Sequence, residues 1–89
     1  MAAPGRIRLD KWLMVARLAR SRAAAQALCE SGLIRHNGQR VTKAGRILRE
    51  GDILTVPRGS DVLVLKVICN AERRASATLA RNLYEIIEG

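Results

Sequence analysis

The sequence predicts an α+β fold in which two packed N-terminal helices lie against a small, twisted, mainly antiparallel sheet, closed by a C-terminal helix. Three observations support this fold. Apolar residues recur at helical spacing near the N-terminus, the turn dipeptide Asn37-Gly38 separates two short extended segments, and β-branched runs follow. A chain of 89 residues fits one domain, and with 2% aromatic residues its core must be built from Leu, Ile, Val and Ala.

The first helix is predicted from the apolar residues Leu9, Trp12, Leu13 and Ala16. Their spacing of i, i+3, i+4 and i+7 places them on one face of an amphipathic helix. Trp12 lies on that face, which favours a core residue over a platform for stacking bases.

The second helix is predicted over residues 22–31. Ser21 is a suitable N-cap because its hydroxyl accepts a free backbone N–H, and Gly32 ends the helix because glycine readily adopts the left-handed conformation. The short link between the helices makes them packed neighbours.

The strands are predicted from turn signals. Asn37-Gly38 favours a two-residue hairpin turn, because both positions need positive φ. Ile47-Leu48 precedes a second turn, residues 53–56 form another strand ended by Pro57 and Gly59, and residues 62–69 are the longest β-branched run. The near-continuous apolar character of that run predicts a central strand covered on both faces.

The ends of the chain are interpreted separately. Residues 1–7 are predicted to form a flexible leader, because Pro4-Gly5 disfavours regular structure. Residues 57–89 are expected to complete the same domain with a strand and a helix. That helix is predicted from Leu79, Leu83, Ile86 and Ile87 at helical spacing, with Ser76 or Thr78 as its cap.

Charge is distributed very unevenly. The formal net charge is +8, yet residues 1–49 carry eleven basic and two acidic residues, whereas residues 50–89 carry five basic and six acidic residues. An excess confined to one half predicts a polyanionic partner, although a solvated, solubilising face is the plainer alternative.

Several function classes find little support. His36 is the only histidine and has no nucleophile at suggestive spacing. A role as a hydrogen-bond donor to phosphate at the hairpin is therefore favoured over a role as a general base. Cys29 and Cys69 lack the neighbouring ligands of a zinc site and are expected to be buried thiols. We therefore expect no enzyme activity, metal or cofactor. With neither a signal peptide nor a long apolar segment, a cytoplasmic protein with no membrane partner is predicted.

Two groups of residues suit phosphate binding. Ser21 and Arg22 begin the second helix, where free N–H groups and the helix dipole favour an anion, and Arg17 and Arg20 precede them. The second group lies on the hairpin and the loop after it: Arg35, Asn37, Arg40, Lys43 and Arg46. Arg17 and Arg20 have the alternative role of satisfying carbonyls at the end of the first helix, and Asn37 is required by the turn itself.

Five segments, taken together in order and spacing, resemble the RNA-binding domain first named from the fourth small-subunit ribosomal protein. They are residues 8–13 (RLDKWL), Ser21-Arg22 with Ala24 and Ala25, residues 32–38 (GLIRHNG), residues 41–43 (VTK) and residues 51–54 (GDIL). The resemblance spans residues 8–56. The start Asp-Lys-Trp-Leu and a C-terminal extension with Glu72, Arg73, Arg74 and Tyr84 are similar to the bacterial heat-shock protein fifteen family.

The resemblance implies non-catalytic binding of structured ribosomal RNA. For the heat-shock members, it implies association with large ribosomal subunits blocked by a nascent chain on transfer RNA. It places the contact surface on the two helices and the hairpin. The implied residues are Arg17, Arg20, Ser21, Arg22, Arg35, Asn37 and Lys43, together with Arg8, Lys11, Arg40 and Arg46.

Two other functions stay open at this point. Two short helices joined by a tight turn can imitate a helix-turn-helix, which makes a DNA-binding regulator an alternative. An RNA-binding accessory subunit of a modifying enzyme is the other, since this domain also occurs fused to such enzymes. We expect a monomer.

Overall fold

The computed structural model describes residues 6–68 and 83–88, which contain two helices and seven strands. In chain order these are β1 (Arg6–Arg8), α1 (Leu9–Val15), α2 (Arg22–Glu30), β2 (Arg35–His36), β3 (Gln39–Arg40), β4 (Ile47–Arg49), β5 (Ile53–Arg58), β6 (Asp61–Val67) and β7 (Tyr84–Glu88). Strands β1 and β4 form a two-stranded ribbon, and the others form a sheet in the order β3-β2-β5-β6-β7. The pairings are antiparallel, which confirms an α+β fold with two helices and a mainly antiparallel sheet.

The first helix lies where its apolar spacing predicts it, and the second begins and ends beside its predicted capping residues. Leu9, Trp12 and Leu13 of α1 are fully buried, and the Trp12 ring meets Tyr84 edge-on at a centroid distance of 6.2 Å, so Trp12 is a core residue. In α2 the Ser21 hydroxyl accepts the Ala24 N–H at 3.0 Å, and Gly32 adopts a φ of +80° just beyond the helix.

The hairpin of β2 and β3 turns at Asn37 and Gly38, whose φ angles are 51° and 84°. Both central residues have positive φ, as the two-residue turn requires. The sequence prediction of this hairpin is confirmed.

Strand β6 lies between β5 and β7 but is covered on one face only. Leu63, Leu65 and Val67 are buried, whereas Lys66 is exposed and Val62 is 53% exposed. The prediction of a strand covered on both faces is wrong. In an antiparallel sheet an apolar run does not require a second cover, because one face can remain in solvent.

The C-terminal helix predicted through Ile86 and Ile87 is also wrong for residues 84–88, which form strand β7 paired with β6. Both isoleucines are 54% exposed. β-branched residues suit a strand, and here pairing with β6 overrides a spacing that matches a helix as well. Leu79, Ser76 and Thr78, on which the rest of that prediction depends, lie outside the described residues. Cys69, which was expected to end the preceding strand as a buried thiol, lies outside them too.

The N-terminal boundary differs from the sequence prediction as well. Arg6 and Ile7, assigned to the flexible leader, belong to β1, and Ile7 packs in the core. The remaining leader residues, 1–5, lie outside the described part of the chain.

Gly32→Ala is expected to lower the free energy of unfolding by about 1–2 kcal/mol, because an L-residue is disfavoured at positive φ. The added methyl group would also lie 2.5 Å from Arg40 Nη2. Urea unfolding measures the change. Gly45→Ala is the matched control, since its methyl group meets only ordinary contacts 3.7 Å away. Equal effects at the two glycines would contradict the argument.

Candidate nucleic-acid interface

A buried carboxylate organises the basic residues at the start of the two helices. The Asp10 side chain is fully buried, and its two oxygens accept hydrogen bonds from Arg8 Nε at 3.1 Å and Arg8 Nη2 at 3.0 Å. Oδ2 also accepts the Gln26 amide at 3.3 Å and lies 3.0 Å from Arg22 Nε, without hydrogen-bond geometry to it. One carboxylate thus connects β1, α1 and α2.

Asp10 with Arg8, Arg22 and Gln26, called the Asp10 cluster below, retains positive charge. One carboxylate faces two guanidinium groups, and the Arg8 and Arg22 side chains are 50% and 41% exposed. Burial raises the pKa of Asp10, but the Arg22 guanidinium beside it and the hydrogen bonds from Arg8, Gln26 and the Lys11 N–H outweigh burial and hold that pKa below its ordinary value. The carboxylate therefore stays ionised at neutral pH and fixes both arginines at the surface.

The loop of residues 42–46 packs directly against the start of α1. The Leu9 N–H donates to the Arg46 carbonyl at 2.7 Å, and the Asp10 N–H donates to the Ala44 carbonyl at 3.2 Å. An open depression on this loop is lined by Thr42, Lys43, Gly45 and Arg46. Exposed Lys43 therefore lies on the loop beside the Asp10 cluster.

A second carboxylate organises the hairpin. Asp52 Oδ2 lies 2.6 Å from His36 Nε2, and Arg46 Nε donates to His36 Nδ1 at 2.7 Å. Since arginine can only donate, Nδ1 must be the acceptor and Nε2 carries the proton that Asp52 accepts. Arg46 Nη2 also donates to Gln39 Oε1 at 2.7 Å, so the loop of residues 42–46 is tied to the hairpin.

The hydrogen bonds to Asp52 also hold its pKa down. Burial raises the pKa, but His36, the Arg49 N–H and the Asn37 amide together lower it below its ordinary value. Asn37 in turn accepts the Ile53 N–H at 2.8 Å. Asn37 therefore anchors the turn to β5 as well as supplying its positive φ.

The hairpin presents two exposed arginines side by side. Arg35 and Arg40 are direct cross-strand partners, and like charges in that position repel each other. Arg35 donates a long 3.5 Å hydrogen bond to the Gly38 carbonyl, and the Arg40 guanidinium lies over Gly32 at the end of α2. An anion bound between them would relieve the repulsion.

Comparison with known proteins identifies the family. A family profile described as the S4 domain matches residues 7–54, more than half of the chain. The chain belongs to the S4 domain family. The S4 domain match covers both helices, the hairpin and the loop that bears Lys43.

Individual relatives extend the similarity of this S4 domain towards the C-terminus. A heat shock protein 15 homolog from Aeromonas salmonicida is 40% identical over 82 residues, covering 92% of this chain and 61% of the relative. An RQC P-site tRNA stabilizing factor from Halalkalibacterium halodurans is 39% identical over 80 residues, covering 90% of this chain and 89% of the relative. The chain thus spans about 61% of the Aeromonas relative and most of the other.

A solved structure shares the fold. Heat Shock Protein 15 of Vibrio cholerae superimposes with a TM-score of 0.86 at 32% identity, over 91% of this chain and 81% of that one. That protein is described as trimeric. Its assembly differs from the monomer that the sequence analysis predicts for this S4 domain.

The S4 domain brings together many, but not all, of the residues predicted to bind. Arg8 and Arg22 share Asp10, and the loop bearing Lys43 packs beside them. Arg46 of that loop bonds to the hairpin at Gln39. Arg17 lies elsewhere, at an open groove beside β5 and β7. Arg20 and Ser21 are exposed between the helices, and Lys11 is half-buried. Their predicted contacts with RNA remain predictions.

Some functional positions escaped the sequence analysis. Neither Asp10 nor Asp52 was predicted to position the basic residues. The interpretation of His36 as a hydrogen-bond donor to phosphate is wrong, because His36 is buried and its two ring nitrogens already bond to Asp52 and Arg46. The alternation around Ile7 and Leu48 was the available signal for a further pair of exposed arginines, Arg6 and Arg49.

The remaining features of this S4 domain concern its buried thiol, possible metal ligands and the length of its helices. Cys29 is buried and unpaired, and burial, with Asp10 and Glu30 nearby, raises the pKa of its thiol to about 11. Among residues 6–68 and 83–88, no group of three His, Cys, Asp or Glu side chains is arranged to hold a metal ion. No helix in the same ranges is long and apolar enough to cross a membrane.

Asp10→Asn is expected to lower the free energy of unfolding by about 1–3 kcal/mol, because the neutral amide no longer balances two guanidinium groups. Chemical unfolding at neutral pH measures this. Asp61→Asn, at an exposed aspartate, is the control and should change stability by less than about 0.5 kcal/mol. A loss no larger than the control's would contradict the central place of Asp10.

Acid should destabilise the domain through both carboxylates. Their folded-state pKa values are lowered, so their stabilisation is complete above the unfolded-state aspartate pKa of about 3.9 and is lost as pH falls through the folded values. Unfolding free energies measured from about pH 6 to about pH 2 should fall below about pH 4. The loss should be smaller in Asp10→Asn/Asp52→Asn, and parallel profiles would contradict this assignment.

Proposed function

We propose that this S4 domain is a non-catalytic module that binds structured RNA through phosphate contacts. The single observation that carries the proposal is the continuity of the basic surface. Two arginines share one buried carboxylate, and the loop of residues 42–46, which bears the exposed Lys43, packs against the start of α1 beside it. The cluster keeps a net positive charge that a phosphate backbone complements.

The contacts suggest how the surface would bind. Asp10 holds the Arg8 and Arg22 side chains by their Nε sides, so less rotamer freedom is lost when a phosphate arrives. Guanidinium groups donate in a planar fork that fits a phosphate, whereas Lys43 supplies a flexible point charge. Such contacts report the position of a backbone and the shape of a folded RNA more than its base sequence.

The relatives' names support a ribosomal partner. One group is named heat shock protein 15, and the other is named for stabilizing transfer RNA in the P site. We infer that the RNA is ribosomal RNA on the large subunit, with transfer RNA as a further contact, in the recycling of subunits blocked by a nascent chain. A ribosomal partner implies a cytoplasmic protein.

Filter binding of the full chain to ribosomal RNA fragments at increasing salt tests this function. Affinity should fall linearly on a logarithmic plot, because each neutralised phosphate releases condensed counterions. Lys43→Gln should reduce the slope by about 0.7–0.9 and weaken binding roughly fourfold near 0.15 M salt.

Lys66→Gln is the matched control, since it removes the same charge from an exposed lysine on β6, in the five-stranded sheet. It should leave the slope nearly unchanged. Equal effects of the two variants, salt-independent binding or preference for duplex DNA over excess structured RNA would overturn the proposed function.

A further inference from the structure

The outer face of the β1–β4 ribbon is strongly basic. The inward residues Ile7 and Leu48 are buried, so the alternation of both strands turns Arg6, Arg8 and Arg49 outward. Ile47 lies opposite Arg8 on this face and is 47% exposed.

Arg6 and Arg49 oppose each other directly across the ribbon. Side chains at such positions lie within about 5 Å at Cβ, and like charges there are destabilising. Within residues 6–68 and 83–88, neither arginine forms an ion pair that would offset this repulsion. The arrangement costs stability unless an anion binds between the two guanidinium groups.

The ribbon face is continuous with the Asp10 cluster because Arg8 belongs to both. Arg6 lies two residues from Arg8 along the strand, which is a spacing of about 7 Å. Arg22, Arg8, Arg6 and Arg49 thus form a basic path from the start of α2 along the ribbon.

We propose that the β1–β4 ribbon is a second RNA-contacting surface, in which Arg6 and Arg49 bind the phosphate backbone next to the segment held at the Asp10 cluster. This inference rests on the proposed function. RNA suits the face because the charges follow a line, as backbone phosphates do. The exposed Ile47 offers one apolar contact for a sugar or base, which is far less than the broad apolar face of a helix lying in a membrane surface.

The test compares Arg6→Gln/Arg49→Gln with the control Arg58→Gln/Lys66→Gln, which removes the same charge from exposed residues of the five-stranded sheet. Binding of the full chain to ribosomal RNA fragments is measured across salt concentrations. The ribbon variant should lose roughly fifteen- to twentyfold in affinity near 0.15 M salt and reduce the salt slope by about 1.4–1.8. The control should change both quantities much less.

Thermal unfolding separates binding from folding. The melting temperature of the ribbon variant should equal or exceed that of the unmodified chain, because a repulsion is removed. A lowered melting temperature would assign the arginines a structural role and overturn the inference.

The remaining outcomes separate this inference from the proposed function. If the ribbon variant matches its control while Lys43→Gln still weakens binding, the ribbon inference fails and the proposed function stands. If the unmodified chain does not bind RNA, both fail. Loss of binding to anionic phospholipid vesicles, with RNA affinity equal to the control's, would assign the ribbon to a membrane instead.

Discussion

The carboxylate of Asp10 holds the start of this domain together. It is one of only two acidic side chains among the first 49 residues, and it is fully buried. Around it meet a strand through Arg8, a second helix through Arg22 and Gln26, and the loop of residues 42–46 through the backbone of Asp10 itself. Burying a single acid among bases is favourable only when several donors satisfy it, and that requirement fixes how the first elements pack. The basic surface is a consequence of the same packing.

A second acid repeats this design in the hairpin. Asp52 accepts from His36, which accepts from Arg46, so a carboxylate again determines where an arginine lies. The two networks meet in the loop of residues 42–46, which bonds to the start of α1 by its backbone and to the hairpin by Arg46. The carboxylates of Asp10 and Asp52 therefore position positive charge more than they cancel it. A surface arranged in advance loses less entropy on binding a polyanion.

Features with local causes could be predicted from the sequence, and features with distant causes could not. The cap of α2 at Ser21 and the turn at Asn37-Gly38 depend on neighbouring residues, and both were predicted. Strand β7 depends on the edge that β6 offers, which a helical spacing of isoleucines does not reveal. The role of Asp10 depends on Gln26, sixteen residues away, and on Arg22. Individual basic residues were therefore identified, whereas the carboxylates that arrange them, and the ribbon that presents Arg6 and Arg49, were not.

Asp10→Asn gives the most direct test of the claim that buried acids arrange the binding surface. The substitution makes the domain more positive, so charge alone predicts tighter RNA binding. Loss of the anchor for Arg8 and Arg22 predicts weaker binding instead. RNA affinity should be measured at a temperature where the variant is folded, beside Asp61→Asn as a control with the same change in charge. Asp10→Asn should bind RNA more weakly than the unmodified chain, and the control should bind it equally or slightly more tightly. Tighter binding by Asp10→Asn would contradict the claim that Asp10 positions the binding arginines.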